Sequence, residues 1–164
     1  MAVTISGNTG IAGADGSAGT PAVQGTDTNT GIYYPAADQV AVSAGGSQVA
    51  TFDSAGVSDA KGELRTVPVN SQTGAYNVAS SDAGKFISIT TGGVSVLTTT
   101  AFTTGQSVSI YNNSGSNQTI TATGITLYQV GTANTGNRTL AQRGLCTILC
   151  VGSNTYVITG GGVS

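Results

Sequence analysis

Ser107-Val108-Ser109-Ile110-Tyr111 alternates polar and aliphatic side chains, whereas Leu145-Cys146-Thr147-Ile148-Leu149-Cys150-Val151 is apolar at nearly every position. Successive side chains of a strand point to opposite sides of its sheet, so the first pattern predicts a strand with one wet face. The second predicts a central strand buried on both faces. Reading outward from these two, further candidate strands fall at 66–69, 74–78, 85–90, 94–97, 118–122, 125–129 and 156–159. Turn-forming stretches separate them, among them Asn112-Asn113-Ser114-Gly115-Ser116-Asn117, Thr123-Gly124 and Gly152-Ser153-Asn154. Short strands at regular spacing over about 100 residues suggest a sandwich or barrel, read here as a β-sandwich head across 66–164, large enough for its own core.

Upstream, residues 32–65 read as a stem. Gln39-Val40-Ala41-Val42-Ser43 and Gln48-Val49-Ala50-Thr51-Phe52 flank Gly45-Gly46, a pair suited to a tight hairpin turn. Asp53-Ser54-Ala55-Gly56-Val57 is a further turn, and 58–65, with Asp59, Lys61, Glu63 and Arg65, reads as a solvated connector. A lone two-stranded hairpin is marginal in water. Copies of the same hairpin around an axis are the simplest partner, so the stem is expected to trimerise.

Residues 1–31 form a Gly-rich segment. Gly7, Gly10, Gly13, Gly16 and Gly19 keep a period of three, and Gly25 falls back in phase. That spacing suits either an extended three-chain bundle, where only glycine fits the axis, or an irregular arm. The fold class expected is therefore all-β: an extended arm, a β-hairpin trimerisation stem and a β-sandwich.

Composition narrows the function. Charged residues make up 7% of the 164 and the net charge is −2, against a usual charged share of about 25%. No basic stripe is available for nucleic-acid phosphates or a lipid surface. No apolar run reaches the ~20 residues of a membrane span, and the start lacks the pattern of a secretory signal. Cys146 and Cys150 lie four apart, roughly 13 Å along a strand, too far to bond each other. They are expected to be buried thiols.

Chemistry-bearing groups are few. The sequence has no histidine, which removes the usual general base and the commonest metal ligand. The seven acids, Asp15, Asp27, Asp38, Asp53, Asp59, Glu63 and Asp82, all precede most of the head's strands, where a glycosidase would need a facing pair. Asp27-Thr28-Asn29-Thr30-Gly31 fits an Asx turn better than a calcium loop. No catalytic residue, metal ligand or cofactor is expected, and the chain reads as a non-enzyme. A loop of amides, hydroxyls and an aromatic ring can meet a sugar, so Tyr111, Asn112, Asn113, Ser114, Asn117 and Gln118 form the candidate receptor-contact loop.

Two stretches carry a resemblance. Thr30-Gly31-Ile32-Tyr33-Tyr34-Pro35-Ala36-Ala37-Asp38, followed by Val40-Ala41-Val42-Ser43 and Phe52-Asp53-Ser54-Ala55-Gly56-Val57, resembles a repeat in tail fibres of phages that infect aquatic bacteria. Residues 84–89, 108–114 and 136–151, including Gly136-Asn137-Arg138-Thr139-Leu140-Ala141-Gln142-Arg143-Gly144, resemble a module at the ends of such fibres. The resemblance implies a virion component assembled in the host cytoplasm, usually a homotrimer, that takes part in host attachment. Expected partners are other virion proteins, held through residues 1–31, and a host surface glycan. A capsid-decorating or head-fibre protein is the alternative, and a polysaccharide-degrading spike is an alternative from another class.

Overall fold

Glycine, Val, Ile and Thr recur along the whole chain and leave little of it suited to a helix. The computed structural model, which describes residues 4–7, 10–64 and 66–164, is all-β. Its helical elements are single 3₁₀ turns at Ser80–Asp82 and Thr98–Thr100. The chain divides into two compact units, Met1–Thr66 and Val67–Ser164.

In the first unit, β1 (Thr4–Ser6) pairs antiparallel with β2 (Gly10–Ala12), setting Thr4 opposite Ala12. The glycine run is thus folded back early rather than drawn out, and it bends again where Gly16, at φ +75°, bridges Pro21. The stem is wider than a hairpin. Strands β3 (Val23–Gln24), β4 (Gly31–Tyr33), β5 (Val40–Ala44), β6 (Ser47–Asp53), β7 (Gly56–Asp59) and β8 (Gly62–Glu63) form one antiparallel sheet in that order. Gly45 and Gly46, at φ +59° and +78°, make the turn between β5 and β6. The stretch expected as a solvated connector is β7 and β8 instead. Short Asp turns drive it back into the sheet: Asp53 accepts from the Ala55 and Gly56 N–H groups, and Asp59 from the Lys61 N–H.

The second unit contains β9 (Val69–Gln72), β10 (Tyr76–Asn77), β11 (Phe86–Ile89), β12 (Val94–Leu97), β13 (Ser107–Asn112), β14 (Gln118–Thr123), β15 (Thr126–Gln129), β16 (Arg138–Gly152) and β17 (Thr155–Val163). All belong to one sheet. From β9 to β14 the chain alternates between two wings. Strands β9, β11 and β13 run parallel in one, and β10, β12 and β14 run parallel in the other. The long β16 belongs to both wings: Arg138–Leu140 pairs with β14, and Leu145–Leu149 with β13. Strand β17 then pairs antiparallel with β16, and β15 parallel with β17.

The wings enclose one core that includes Val94, Val96, Ile120 and Leu140 from one side and Ile87, Ile89, Ile110, Ile148 and Ile158 from the other. This is one sheet folded over itself, nearer to a barrel than to two separate layers. Between Leu140 and Leu145 the β16–β17 register shifts, and Arg143 takes φ +58°. Such a bulge lets one strand turn a corner.

Glycine makes that corner possible. A Cβ on Gly160, which sits at φ +151°, would lie 2.2 Å from the Leu145 carbonyl oxygen and 2.5 Å from the Cys146 Cα. Gly160→Ala is therefore expected to lower unfolding free energy by about 2–4 kcal/mol in urea titration. Gly115→Ala, at a loop glycine whose Cβ would meet nothing within 4 Å, is expected to stay within about 0.5 kcal/mol of the parent.

Candidate functional site

Strand alternation decides what the candidate contact loop does. Val108, Ile110 and Asn112 take the inward positions of β13, so Asn112 is fully buried. A buried amide needs partners. Asn112 Nδ2 donates to the carbonyls of Ser116 (2.8 Å), Ala141 (2.8 Å) and Leu140 (3.1 Å), and its Oδ1 accepts from Ser114 Oγ at 2.7 Å. Gln118, also buried, accepts from the Gly93 N–H and reaches Ser114 Oγ at 3.2 Å. Asn113 and Asn117 are exposed, yet each has its side-chain oxygen engaged: Asn113 by Arg143 Nη1 (2.6 Å) and Asn117 by the Gln142 N–H (3.2 Å). Tyr111 is half-buried opposite Leu145 on the outer face. The structure brings all six residues together, and it engages three of them, Asn112, Asn113 and Asn117, with residues 140–143 of the β16 corner.

A second polar cluster lies beside β9 and β10. Asp82 is buried at the end of a 3₁₀ turn, and its two oxygens accept from Asn70 Nδ2 (2.8 Å), Tyr76 Oη (2.8 Å) and the Ala79 N–H (2.9 Å). Burial, with the Asp82 hydrogen bond second, raises the Tyr76 hydroxyl above the ordinary tyrosine pKa. Arg138 is also buried. Its guanidinium donates to the Asn134 (2.6 Å) and Asn137 (2.7 Å) carbonyls of the preceding loop. Both groups close loops against strands. Asp27 makes the expected Asx turn, accepting from the Asn29 N–H and from Thr30 Oγ1.

Cys146 and Cys150 are separate buried thiols on the inner face of β16. Burial pushes the Cys146 thiol up from 9.0 to about 12. Among the described residues no three His, Cys, Asp or Glu side chains gather as a metal site. Two surface depressions, one beside Gln48–Thr51 and one beside Val130 and Gly160, measure about 80 and 140 Å³. Small-molecule pockets usually run to ~300–1,000 Å³.

The more telling surface is the first unit's sheet, whose sidedness is inverted. Tyr33, Ala41 and Thr51 share one face and are buried, with Tyr33 Oη bonded to Gln48 and Gln48 to Thr51. The opposite face carries Val23, Ile32, Val42 and Ala50 in one row, ending at Asp59. Val40, Phe52 and Val57 form the next row, and Leu64 donates its N–H to the Val57 carbonyl. Val23, Ile32, Val40, Phe52 and Leu64 stand 38–62% exposed. Apart from Tyr33, the larger side chains of the sheet therefore lie on the face that the unit does not bury. Alternation within 40–42 hinted at this face in the sequence, but β7 and β8, which widen it, were hidden in a polar stretch. No protein-family model, curated protein or solved structure matches this chain.

Asn112→Ala is expected to cost about 2–4 kcal/mol in urea unfolding, because it strips partners from buried carbonyls at the β16 corner. Asn117→Ala is expected to cost under about 1 kcal/mol. The raised Cys146 thiol has a further consequence. Between pH 9 and about 12 the unfolded chain releases that proton before the folded one. Stability should therefore fall across that window as pH rises, and Cys146→Ala should flatten the slope of unfolding free energy against pH.

Proposed function

We propose that this chain is a structural virion protein, a short homotrimeric tail fibre of a bacteriophage that contributes to host attachment. The observation carrying the reading is the uncovered apolar face of the β3–β8 sheet. Isolated exposed hydrophobic residues are ordinary, but a continuous apolar face rimmed by polar groups marks an interaction site. Here Tyr33 and Ala41 are the buried hydrophobic side chains among the described residues of the unit, a small core for a six-stranded sheet. Copies around a three-fold axis would supply the missing cover, each placing its apolar face inward. The repeat-like stretches at 30–43 and 52–57 and the module-like stretches at 84–89, 108–114 and 136–151 support a fibre in particular.

In this reading the amino-terminal residues dock onto other virion proteins. Any contact with a host glycan uses surface residues of the second unit, since Asn112, Ser114 and Gln118 are already engaged.

The full chain is expected to run as a trimer in native mass spectrometry at low micromolar concentration. Phe52→Asp should shift it to monomer by at least tenfold in dissociation constant while leaving the β-sheet circular dichroism in place. A folded monomeric parent chain would defeat the reading. Attachment is tested separately: the purified trimer should bind whole host cells and compete with phage adsorption.

A further inference from the structure

The second unit shows two outer surfaces of opposite character. On the β10–β12–β14 wing the outward positions include Asn77, Ser95, Thr119, Thr121 and Thr139, which lie across from one another in register. Hydroxyls and amides of this kind suit water. On the β9–β11–β13–β16–β17–β15 wing the outward positions differ. Leu149 of β16 lies opposite Val157 of β17, which lies opposite Tyr128 of β15, and Leu145 lies opposite Tyr111 of β13. Phe86 lies opposite Val69 of β9.

Strand β16 makes the contrast sharp. Its inward Cys146, Ile148 and Cys150 are buried, whereas its outward Leu145, Leu149 and Val151 are exposed. A strand apolar on both faces is the signature of a strand covered on both faces, and the second unit by itself covers only one.

We infer that this apolar wing packs against the same wing of neighbouring copies, so the interface between subunits runs through the second unit as well as the first. The inference rests on the reading of the chain as a homo-oligomer. Two features favour a copy of this chain as the occupant. The first is area. Val69, Tyr128, Val130, Leu145, Leu149 and Val151 are 37–54% exposed. At ~60–120 Å² for a Val or Leu side chain and ~150–250 Å² for a Tyr, they present on the order of 300 Å². That is the scale of the ~300–600 Å² patch of a typical monomer and over a third of the ~800 Å² each partner gives to a standard interface. The second is charge. Those six positions and the Ser109, Thr147 and Thr159 between them carry none, so like can meet like without repulsion, and Arg143 lies at the margin. The hydroxyl wing is left facing solvent.

The test uses the full-length chain with single introduced cysteines, since Cys146 and Cys150 are buried. Leu149→Cys and Val151→Cys report on the apolar wing, and Thr119→Cys on the hydroxyl wing. Each is labelled with a water-soluble maleimide at pH 7, and its oligomeric mass is measured in parallel. The inference expects labelling at 149 and 151 at least tenfold slower than at 119 in the oligomer. Adding Phe52→Asp to dissociate the subunits should restore fast labelling. An oligomer in which 149 and 151 react as fast as 119 would overturn the inference and leave the fibre reading standing. A monomeric parent chain would overturn both. If Leu149→Cys fails to fold, Val151→Cys reads the same face at the strand's edge.

Discussion

Every β-strand has two faces, and a sheet folded over itself can bury only one of them. That constraint governs this protein. In the second unit the inner faces of both wings share one core of Ile, Val and Leu, with Leu127, Tyr156 and Phe102 joining it. Each buried large side chain contributes ~1.5–3 kcal/mol relative to exposure, and the core is sufficient for a domain of about 100 residues. What this unit lacks by itself is a second layer outside β16. The first unit meets the same limit earlier, because its inner face is lined by Ala41, Ser43 and Thr51. Each unit thus keeps a set of large apolar residues, Ile32, Val40 and Phe52 in the first and Leu145, Leu149 and Val151 in the second, on a face that it does not cover by itself.

The corner in β16 is what lets one strand serve both wings. Three features converge on residues 140–145. Glycines at 144 and 160 permit the backbones to touch, and a Cβ at 144 would come within 3.0 Å of the Ala141 and Gly161 carbonyls. Asn112 ties down the carbonyls of Leu140 and Ala141 from the facing strand. Arg143 holds a left-handed conformation and reaches across to Asn113. The polar loop after β13 is therefore part of the fold's fastening. Its Asn and Ser content, which reads as a recognition surface, follows from the need to satisfy backbone groups where the strand turns.

Strand content was readable in the sequence because alternation and turn residues are local signals. Each candidate segment of the second unit overlaps an observed strand, and Ser107–Tyr111 shows the expected sidedness. The less readable features are non-local. Parallel pairing of β9, β11 and β13 depends on which wing each strand enters, and nothing in a six-residue window specifies that. Strand β16 begins at Arg138 because β14 and β17 pair with a stretch whose own pattern is polar. Strands β7 and β8 were obscured for a similar reason: Asp59, Lys61 and Glu63 look like solvated charges, but the Asp side chain there caps a turn. Of the candidate loop, proximity was legible and orientation was not, since parity along β13 places Asn112 inward while composition alone does not.

Charge economy fits the same scheme. Several carboxylates act within a few residues of themselves. Asp27, Asp53 and Asp59 cap backbone N–H groups in turns, and Asp82 does so at the 3₁₀ turn. Asp27 and Asp59 sit in turns at the sheet rim where water reaches them, whereas Asp82 is buried with its partners. The second unit carries Lys85, Arg138, Arg143 and Asp82, and of these Arg138 and Asp82 are buried. A protein whose faces met only water would gain solubility from charges scattered across its strands. This chain places several of its charges in turns and at strand ends, and its second unit carries hydroxyls outward on one wing and larger apolar residues on the other, a distribution that suits subunits meeting through their sheet faces.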